Sequence, residues 1–500
     1  LRVDASEVTA RVIGEGANLG VTQKGRIEFA KRGGRLNADF IDNSGGVDCS
    51  DHEVNIKILL TDIVKNERYK MTRVKRDNLL ERMTEEVATL VLNDNYQQAQ
   101  GISMTEIHAA EHFGIHMQFI EKLEKEDVLD RTLANLPDDD EVLERANNGK
   151  GLTRPEIGIL HSYAKIKLTE RILSSDLPDN DNIYDEWLVK YFPAPLQKKY
   201  VTEIKNHRLC REIVSTTLSN SIVNRMGPVY VDNIMERTGA TAEQVAKAYL
   251  IVREAFQLKH LWSEIEALDN QAPSIVQLDA MNETRKLIER GTIWFLTRYA
   301  QELDVKYDVK TFKTSIDLLR SHIDNILTED LHDEIQQKTE AGMRNQLSAD
   351  LAYQIALLPV LGSACDITRI HKKTGFTIPV IARTFLEVGE RFHLNWLQKQ
   401  AAYLQTDSNW SEEALEAIVE QFYICQAMLT SHILHDCKTA ITKKKLGQKD
   451  QMSVVETWLE KQGDKLVQLD STIHDMRRSG TLDIPMLIIA EQRLRTLYSE

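Results

Sequence analysis

The sequence is poor in cysteine. Its 500 residues include only five, at Cys49, Cys210, Cys365, Cys425 and Cys437. No two of these have the C-x-x-C spacing of a redox or zinc motif, and an odd, sparse set gives no disulfide framework. Such usage is typical of proteins in a reducing compartment. The sequence therefore predicts a cytoplasmic protein without structural disulfides.

Long hydrophobic runs and an excess of basic charge are also lacking. The longest apolar stretch, residues 355–365, contains Pro359 and is shorter than the about 20 residues that a membrane-spanning helix needs. Acidic residues outnumber basic residues by 76 to 62, which gives a net charge of -14. A surface of that sign does not attract nucleic-acid phosphates. We therefore predict a protein that binds neither membranes nor nucleic acid.

Glycine is scarce after residue 50, and proline is absent before Pro137. Eight of the 23 glycines lie in the first 50 residues. Dense glycine is typical of α/β loops near a ligand, because glycine permits positive φ and close backbone approach. Glycine-poor sequence with apolar residues three and four apart is typical of helices. The sequence thus predicts a change of architecture near residue 55.

The glycine-rich part has the rhythm of a parallel α/β sheet. In chain order it predicts a strand at 10–13, a loop at 14–18, a helix at 25–32, a strand at 36–41 and a loop at 42–46. In such sheets ligands bind beyond the carboxyl ends of the strands, where both loops fall. We expect the two loops to line a ligand site.

The rest of the chain predicts helix after helix. The predicted helices are 76–98, 103–125, 155–174, 197–226, 242–267, 276–303, 411–434 and 454–476. Two start signals are specific. Thr153 precedes Pro155 and Glu156 as a capping residue does, and the acidic run 138–141 suits the positive end of a helix dipole.

Segments 238–258 and 374–394 align without gaps at a separation of 136 residues. They are identical at nine of 21 positions, and the shared apolar positions keep helical spacing. Convergence on one cap-and-helix solution would produce some of these matches, but their number in register favours a repeated helical unit. We predict three domains, 1–55, 56–227 and 228–500, with the duplication in the third.

Two segments carry residues suited to ligand chemistry, 14–18 and 43–53. An asparagine at the end of a strand, such as Asn43, offers an amide donor and acceptor to a carboxamide or a ribose hydroxyl. The Gly45-Gly46 pair lets the backbone approach a flat ring, and Ser50 can donate to an anion near a helix start. On residue types alone, a nucleotide or carboxylate site and a pair of glycine-rich turns are equally favoured.

A family resemblance decides between them. Glu-Gly-Ala-Asn, ending at Asn18, is followed by Asn-x-Gly-Gly-Val-x-x-Ser-x-x-Glu over residues 43–53, and this pattern resembles the end of the NAD-binding domain of glutamate dehydrogenases. The run 11–60 resembles the large bacterial NAD-specific class, as do 152–156 and 224–227. The predicted helices give a mainly α fold, with a long multi-helix C-terminal region after a short α/β segment. The resemblance implies that this segment is the end of a Rossmann-like NAD-binding domain.

The resemblance also implies site residues. The implied cofactor-binding residues are Asn18, Asn43, Gly45 and Gly46, and the implied substrate-binding residues are Val47 and Ser50. Asn18 would lie near the ribose and nicotinamide of NAD, and Asn43 would bond the nicotinamide carboxamide. Ser50 would help to hold a carboxylate of glutamate.

The implied activity is the oxidative deamination of L-glutamate to 2-oxoglutarate and ammonia by a homo-oligomer. The family's catalytic Lys and Asp lie upstream of these motifs, and the sequence contains no G-x-G-x-x-G fingerprint. We therefore expect a C-terminal fragment without catalytic residues, inactive without the N-terminal part of the same chain. The helical part would be structural, oligomerising or regulatory. The alternative is a non-catalytic helical binding or regulatory module, or a scaffold.

Two clusters contain residue types that bind metals. They are His108, His112 and His116, and His432, His435 and Cys437. Histidines four apart can share one helix face, but the residues around the first cluster continue an ordinary amphipathic helix. The second spacing fits no common zinc framework. We predict no metal site.

Overall fold

The fold is mainly helical, as predicted. The structure, a computed structural model, describes residues 3–17, 19–404, 409–444, 453–460 and 464–498. The chain forms two compact units. Unit 1 comprises 1–252 and 288–306, and unit 2 comprises 253–287 and 307–500.

The N-terminal segment contains a small parallel sheet. Strands β1 (Val12–Ile13) and β2 (Arg35–Leu36) pair with Val12 opposite Arg35, and helix α1 (Gln23–Lys31) connects them. The Thr22 hydroxyl caps α1 by accepting from the Gly25 N–H at 3.2 Å. The predicted order of strand, helix and parallel strand is confirmed, with shorter strands.

The predicted strand over 36–41 is wrong after Leu36. Helix α2 (Asp39–Asp42) begins there and is followed by α3 (Ser44–Lys65), so the predicted loop at 42–46 is mostly helical as well. Ala and Asp are poor strand formers, and the extended conformation of Ala38 starts a helix instead. The Gly45-Gly46 pair therefore lies in the first turn of α3.

Helices make up most of the remaining described chain. In order they are α4 (Arg73–Glu106), α5 (Phe113–Lys125), α6 (Asp139–Asn147), α7 (Arg154–Leu173), α8 (Asp181–Trp187), α9 (Ala194–Lys199), α10 (Val201–Lys205), α11 (Cys210–Met226), α12 (Tyr230–Thr238), α13 (Ala242–Ala255), α14 (Leu258–Glu266), α15 (Ser274–Thr297), α16 (Val305–Ser321), α17 (Ile323–Ile326), α18 (Glu329–Arg344), α19 (Ala349–Leu361), α20 (Ala364–Thr374), α21 (Ile378–Arg391), α22 (Leu394–Ala401), α23 (Asn409–Asp436), α24 (Lys438–Lys444), α25 (Val454–Leu459), α26 (Asp464–Ser479) and α27 (Ile484–Arg495). Short 3₁₀ helices span Ala5–Glu7, Glu67–Tyr69, Leu177–Asp179 and Val189–Tyr191.

Each unit has its own helical core. In unit 1, α4 packs against α3, α7 and α11, and α7 packs along α11. In unit 2, α23 packs against α20, α21, α22 and α27, and α18 pairs with α19. Among the described helices, none is by itself long and apolar enough to span a membrane. Helices α19 and α20 reach that length and hydropathy only when they are taken together, and the chain bends by 52° between them.

The predicted helix starts are confirmed, but several predicted helices are broken. Thr153 and Glu156 form a capping box at α7 with Pro155 in its first turn, and Asp138 caps α6. The predicted helix 103–125 is interrupted between α4 and α5, and 197–226 forms three helices, α9, α10 and α11. Periodicity alone does not reveal such breaks, because the apolar spacing resumes after each one.

The two similar segments follow the same backbone course. Helices α12, α13 and α14 match α20, α21 and α22 in bounds to within two residues at a shift of 136 residues. Left-handed glycines end the first helix of each set, Gly239 (φ 70°) and Gly375 (φ 75°). Left-handed non-glycine residues precede the third, Gln257 (φ 58°) and His393 (φ 59°).

Buried side chains match in the same register. The paired positions are Val245/Ile381, Ala246/Ala382, Tyr249/Phe385, Val252/Val388, Phe256/Phe392 and Leu258/Leu394, all at most 2% exposed. Matching torsions at Gln257 and His393, where the residue types differ, are hard to attribute to capping chemistry alone. This backbone likeness favours the interpretation of a repeated helical unit.

Alanine at either left-handed glycine tests the shared backbone. A Cβ at Gly239 or Gly375 would meet no atom within 4 Å, so Gly239→Ala and Gly375→Ala carry only the conformational cost of positive φ. We expect each to lower the free energy of unfolding by about 1 kcal/mol, measured by urea denaturation. Gly→Asn at the same positions should cost less, because asparagine tolerates this conformation. A neutral alanine at either position would contradict the shared geometry.

Candidate functional site

A buried arginine organises the glycine-rich loop between β1 and α1. Arg26 is 4% exposed; its Nε lies 2.5 Å from Glu15 Oε2, and its Nη2 lies 3.1 Å from Asp39 Oδ1. Burial alone would raise the pKa of Asp39. The N–H groups of Leu19 and Phe40 and the Arg26 charge outweigh burial and hold this pKa below its ordinary value. Arg26 thus fixes the loop against α2.

Asn43 connects that loop to the first turn of α3. Its Nδ2 donates to the carbonyl oxygen of Gly16 at 2.5 Å. A Cβ at Gly46 would lie 2.9 Å from Asn43 Oδ1, so a larger residue there would displace the amide. Ser50 Oγ donates to the Gly46 carbonyl at 3.1 Å. The structure therefore brings the two glycine-rich segments together around Asn43.

The predicted site residues are placed as follows. Those that share one side of α3, at helical spacings of three and four, are Asn43, Gly46, Val47 and Ser50. Val47 is 61% exposed. Gly45 faces the other way, with Val91 of α4 at 3.6 Å from its Cβ position. Asn18 lies outside the described residues.

Two side chains that sequence reasoning missed hold this junction in place. Asn95 Nδ2 donates to the Ile41 carbonyl and to Ser44 Oγ, both at 2.9 Å. Arg154 Nε donates to Asn37 Oδ1 at 2.6 Å. Its two other guanidinium nitrogens donate to Ser103 Oγ and to the Ala99 carbonyl, both in α4. The motif that contains Arg154 therefore ties α7 to the end of β2. A polar residue inside an otherwise periodic helix, such as Asn95, is the one sequence signal for this role.

A cavity of about 200 Å³ lies on another side of α3. Burial, with the charge of Asp94 adding to it, raises the pKa of Asp48 to about 6. Burial likewise raises the pKa of Asp94 to about 6, and it lowers the pKa of Lys165 to about 8. Sequence reasoning missed this group because its members come from α3, α4 and α7, which have no sequence motif in common.

The histidine clusters make local contacts. His108 Nδ1 lies 3.0 Å from Glu111 Oε2, and His116 is 1% exposed in the core. His432 Nε2 lies 3.3 Å from Asp436 Oδ2. Over the part of the chain that the structure describes, no group of three or more His, Cys, Asp or Glu side chains has the geometry to hold a metal ion.

Together these features define a mainly helical protein with one parallel βαβ edge, whose glycine-rich loop meets the start of a long helix. Family models match both parts. Residues 149–496 match the model described as glutamate dehydrogenase, C-terminal, and residues 1–105 match bacterial NAD-glutamate dehydrogenase, catalytic domain. The chain therefore belongs to the glutamate dehydrogenase family.

Three curated proteins that are similar to this chain carry names from the same family. The NAD-specific glutamate dehydrogenases of Halomonas elongata and Pseudomonas aeruginosa are both 38% identical, over 87% and 99% of this chain. The NAD-specific glutamate dehydrogenase of Mycobacterium tuberculosis is 33% identical over 99% of it. The chain spans 27% of the length of the first relative and 30% of the other two.

Replacing Arg26 tests whether it organises the loop. Arg26→Met would leave Glu15 and Asp39 buried without their cation, a change that typically costs about 3–5 kcal/mol. We expect a loss of that order in the free energy of unfolding of this segment, measured by urea denaturation and by faster proteolysis at residues 14–22. Arg32→Met, at the exposed end of the same helix, should change it by less than about 0.5 kcal/mol.

The stability that Arg26→Met loses should become smaller as the pH falls. Because the pKa of Asp39 is below its ordinary value, its stabilising contribution is fully present above about pH 4 and is lost as the pH falls further. The difference between Arg26→Met and the unmutated protein should shrink accordingly in acid. Equal stability of the two proteins at neutral pH would show that Arg26 does not hold the loop.

Proposed function

We propose that this chain is the C-terminal part of an NAD-dependent glutamate dehydrogenase. In that reaction L-glutamate, NAD⁺ and water give 2-oxoglutarate, ammonium, NADH and a proton. The single observation that carries the proposal is the junction of Gly16 and Asn43 at the start of α3, in a chain whose relatives are named NAD-specific glutamate dehydrogenases.

The residues at this junction suit the cofactor. Cβ positions at Gly14 and Gly16 meet no atom within 4 Å, so this loop leaves open space for a flat group to approach. Asn43 and Asn18 would hold the nicotinamide and its ribose, and Gly46 would keep the backbone of the first turn of α3 close to the ring. Gly45 faces Val91 of α4, so it would act by letting α3 and α4 pack closely behind that turn. NAD supplies the hydride acceptor when bound; the chain's residues bind and orient.

Substrate recognition would fall one turn further along α3. Val47 presents its exposed side chain on the same side of the helix as Asn43, and the Ser50 hydroxyl lies one turn beyond. The single hydrogen of the Ser50 hydroxyl, which is donated to the Gly46 carbonyl, can turn towards an incoming anion, so we assign Ser50 to a carboxylate of glutamate. The groups that activate glutamate and water would come from a part of the protein other than this chain, which would be inactive by itself.

The helical region would support this edge. Helix α3 runs from Asn43 into contact with α4, and α4 packs on α7 and α11 within the same unit. We propose that this bundle holds the start of α3 in position and that the protein works as a cytoplasmic homo-oligomer. A regulatory binding role is the second candidate, and the acidic cavity beside α3 favours it.

Two substitutions in α3 separate cofactor from substrate binding. In the full-length protein, Asn43→Ala removes the amide and should raise the KM for NAD by about tenfold or more, as expected for losing one or two hydrogen bonds. Ser50→Ala should raise the KM for glutamate by about tenfold and leave the KM for NAD unchanged. Both are measured by NADH absorbance in steady-state assays.

The control is Cys49→Ala, an exposed neighbour in the same helix turn, which should leave both constants unchanged. Circular dichroism melting shows whether each variant is folded. An unmutated full-length protein that does not oxidise glutamate with NAD, or unchanged constants in both variants, would refute the proposed function.

A further inference from the structure

We propose that the acidic cavity beside α3 binds a small organic cation carrying ammonium or guanidinium groups. The cavity is distinct from the cofactor and substrate residues. Asp48, His52 and Asn55, at helical spacings of four and three, form a stripe on a different side of α3 from Asn43 and Ser50. The proposal therefore concerns a second site on the same helix.

The charged side chains that line this cavity are all acidic. Asp48 and Asp51 of α3 line it together with Asp94 of α4, and Glu212 of α11 also lines it. Among the described residues, no side chain donates a hydrogen bond or forms an ion pair with any of the three aspartates. Lys165 is the nearby cation that acts on Asp48 and Asp94, but its ammonium donates to Gln98 Oε1 at 2.5 Å instead. Partly buried carboxylates that lack a paired cation favour a cationic guest.

Two buried polar atoms in the same cavity also lack partners. His52 is 2% exposed and stacks on Tyr191 with ring centroids 4.2 Å apart, yet its Nδ1 has no hydrogen-bond partner in the described chain. Asn55 donates through Nδ2 to the Tyr191 hydroxyl at 2.9 Å, which leaves its Oδ1 unpaired. Buried polar atoms are rarely left in this state, so a donor from a ligand would satisfy them.

The arrangement selects an organic cation rather than a metal ion. In the described chain no three potential ligands converge at metal-binding distance. The carboxylates are therefore too far apart to coordinate one metal ion, and they line a wider space. The volume of about 200 Å³ equals that of about six or seven water molecules. A ligand of roughly that many non-hydrogen atoms, with two separated positive groups, reaches more than one carboxylate. 1,4-Diaminobutane has this size and charge.

Protonation of the cavity should be coupled to binding. The groups that face Asp48 and Asp94 are Asp51 and His52 of α3, Lys165 of α7, Tyr191 of the 3₁₀ helix and Glu212 of α11. Burial lowers the pKa of His52 to about 4, so His52 is neutral at pH 7 and does not compete with a cation. A bound ammonium lowers the raised pKa values of Asp48 and Asp94. Affinity should therefore fall as the pH is lowered from 7 to 5.

Calorimetry of the full-length protein with 1,4-diaminobutane tests the proposal. We expect saturable binding of one diamine per chain at pH 7.5 and no binding of 1,4-butanediol, which has the same length without charge. Asp94→Asn and Asp48→Asn should each weaken diamine binding by about tenfold or more, because each removes a partly buried negative charge from the site. Melting curves show that the variants are folded.

The matched control is Asp62→Asn, in the same helix, which removes an exposed carboxylate paired with Arg208 and should leave the affinity unchanged. Diamine affinity that is unaltered in both Asp48→Asn and Asp94→Asn would place any binding elsewhere on this acidic protein and overturn the proposal. Absence of saturable binding would overturn it too. Because the assay needs no turnover, neither result bears on the proposed dehydrogenase activity.

Discussion

The buried guanidinium of Arg26 is the interaction on which the N-terminal part of this structure depends. It neutralises Glu15 and Asp39 at once, and these two carboxylates accept backbone N–H groups from the glycine-rich loop. The loop therefore needs no regular structure of its own to keep one conformation. The same arrangement places Gly16 within reach of Asn43, so the geometry of the candidate cofactor site follows from a charge placed on α1.

Helix α3 has two different sides, and each carries one of the proposed sites. One side carries Asn43 and Ser50 and faces the space beside the glycine-rich loop. The other carries Asp48 and His52 and faces the cavity that α4 and α11 help to form. A ligand in that cavity would contact the helix whose first turn forms the proposed cofactor site. This physical continuity makes a regulatory role for the helical bundle accessible to experiment.

The sequence predicted those features that depend on local chemistry. The capping box at Thr153 and the cap at Asp138 are local, and both are where the sequence predicts them. The strand predicted over 36–41 was wrong after Leu36, because Asp39–Asp42 form a helix that packs on α4, and a short apolar run does not distinguish a strand from a helix. The cavity around Asp94 could not be predicted, since its residues meet only after three helices pack. The family resemblance identified the segment that contains Asn43. Its contact with the Gly16 carbonyl could be seen only in the structure.

The central claim is that NAD and substrate bind where the glycine-rich loop meets α3. Hydrogen–deuterium exchange on the full-length protein tests this most directly, with and without NAD and 2-oxoglutarate. We predict slower exchange in residues 14–22 and 43–51 when both ligands are present, and no change in 374–394 of the second unit. Unchanged exchange in 14–22 and 43–51 at saturating ligand would contradict the account.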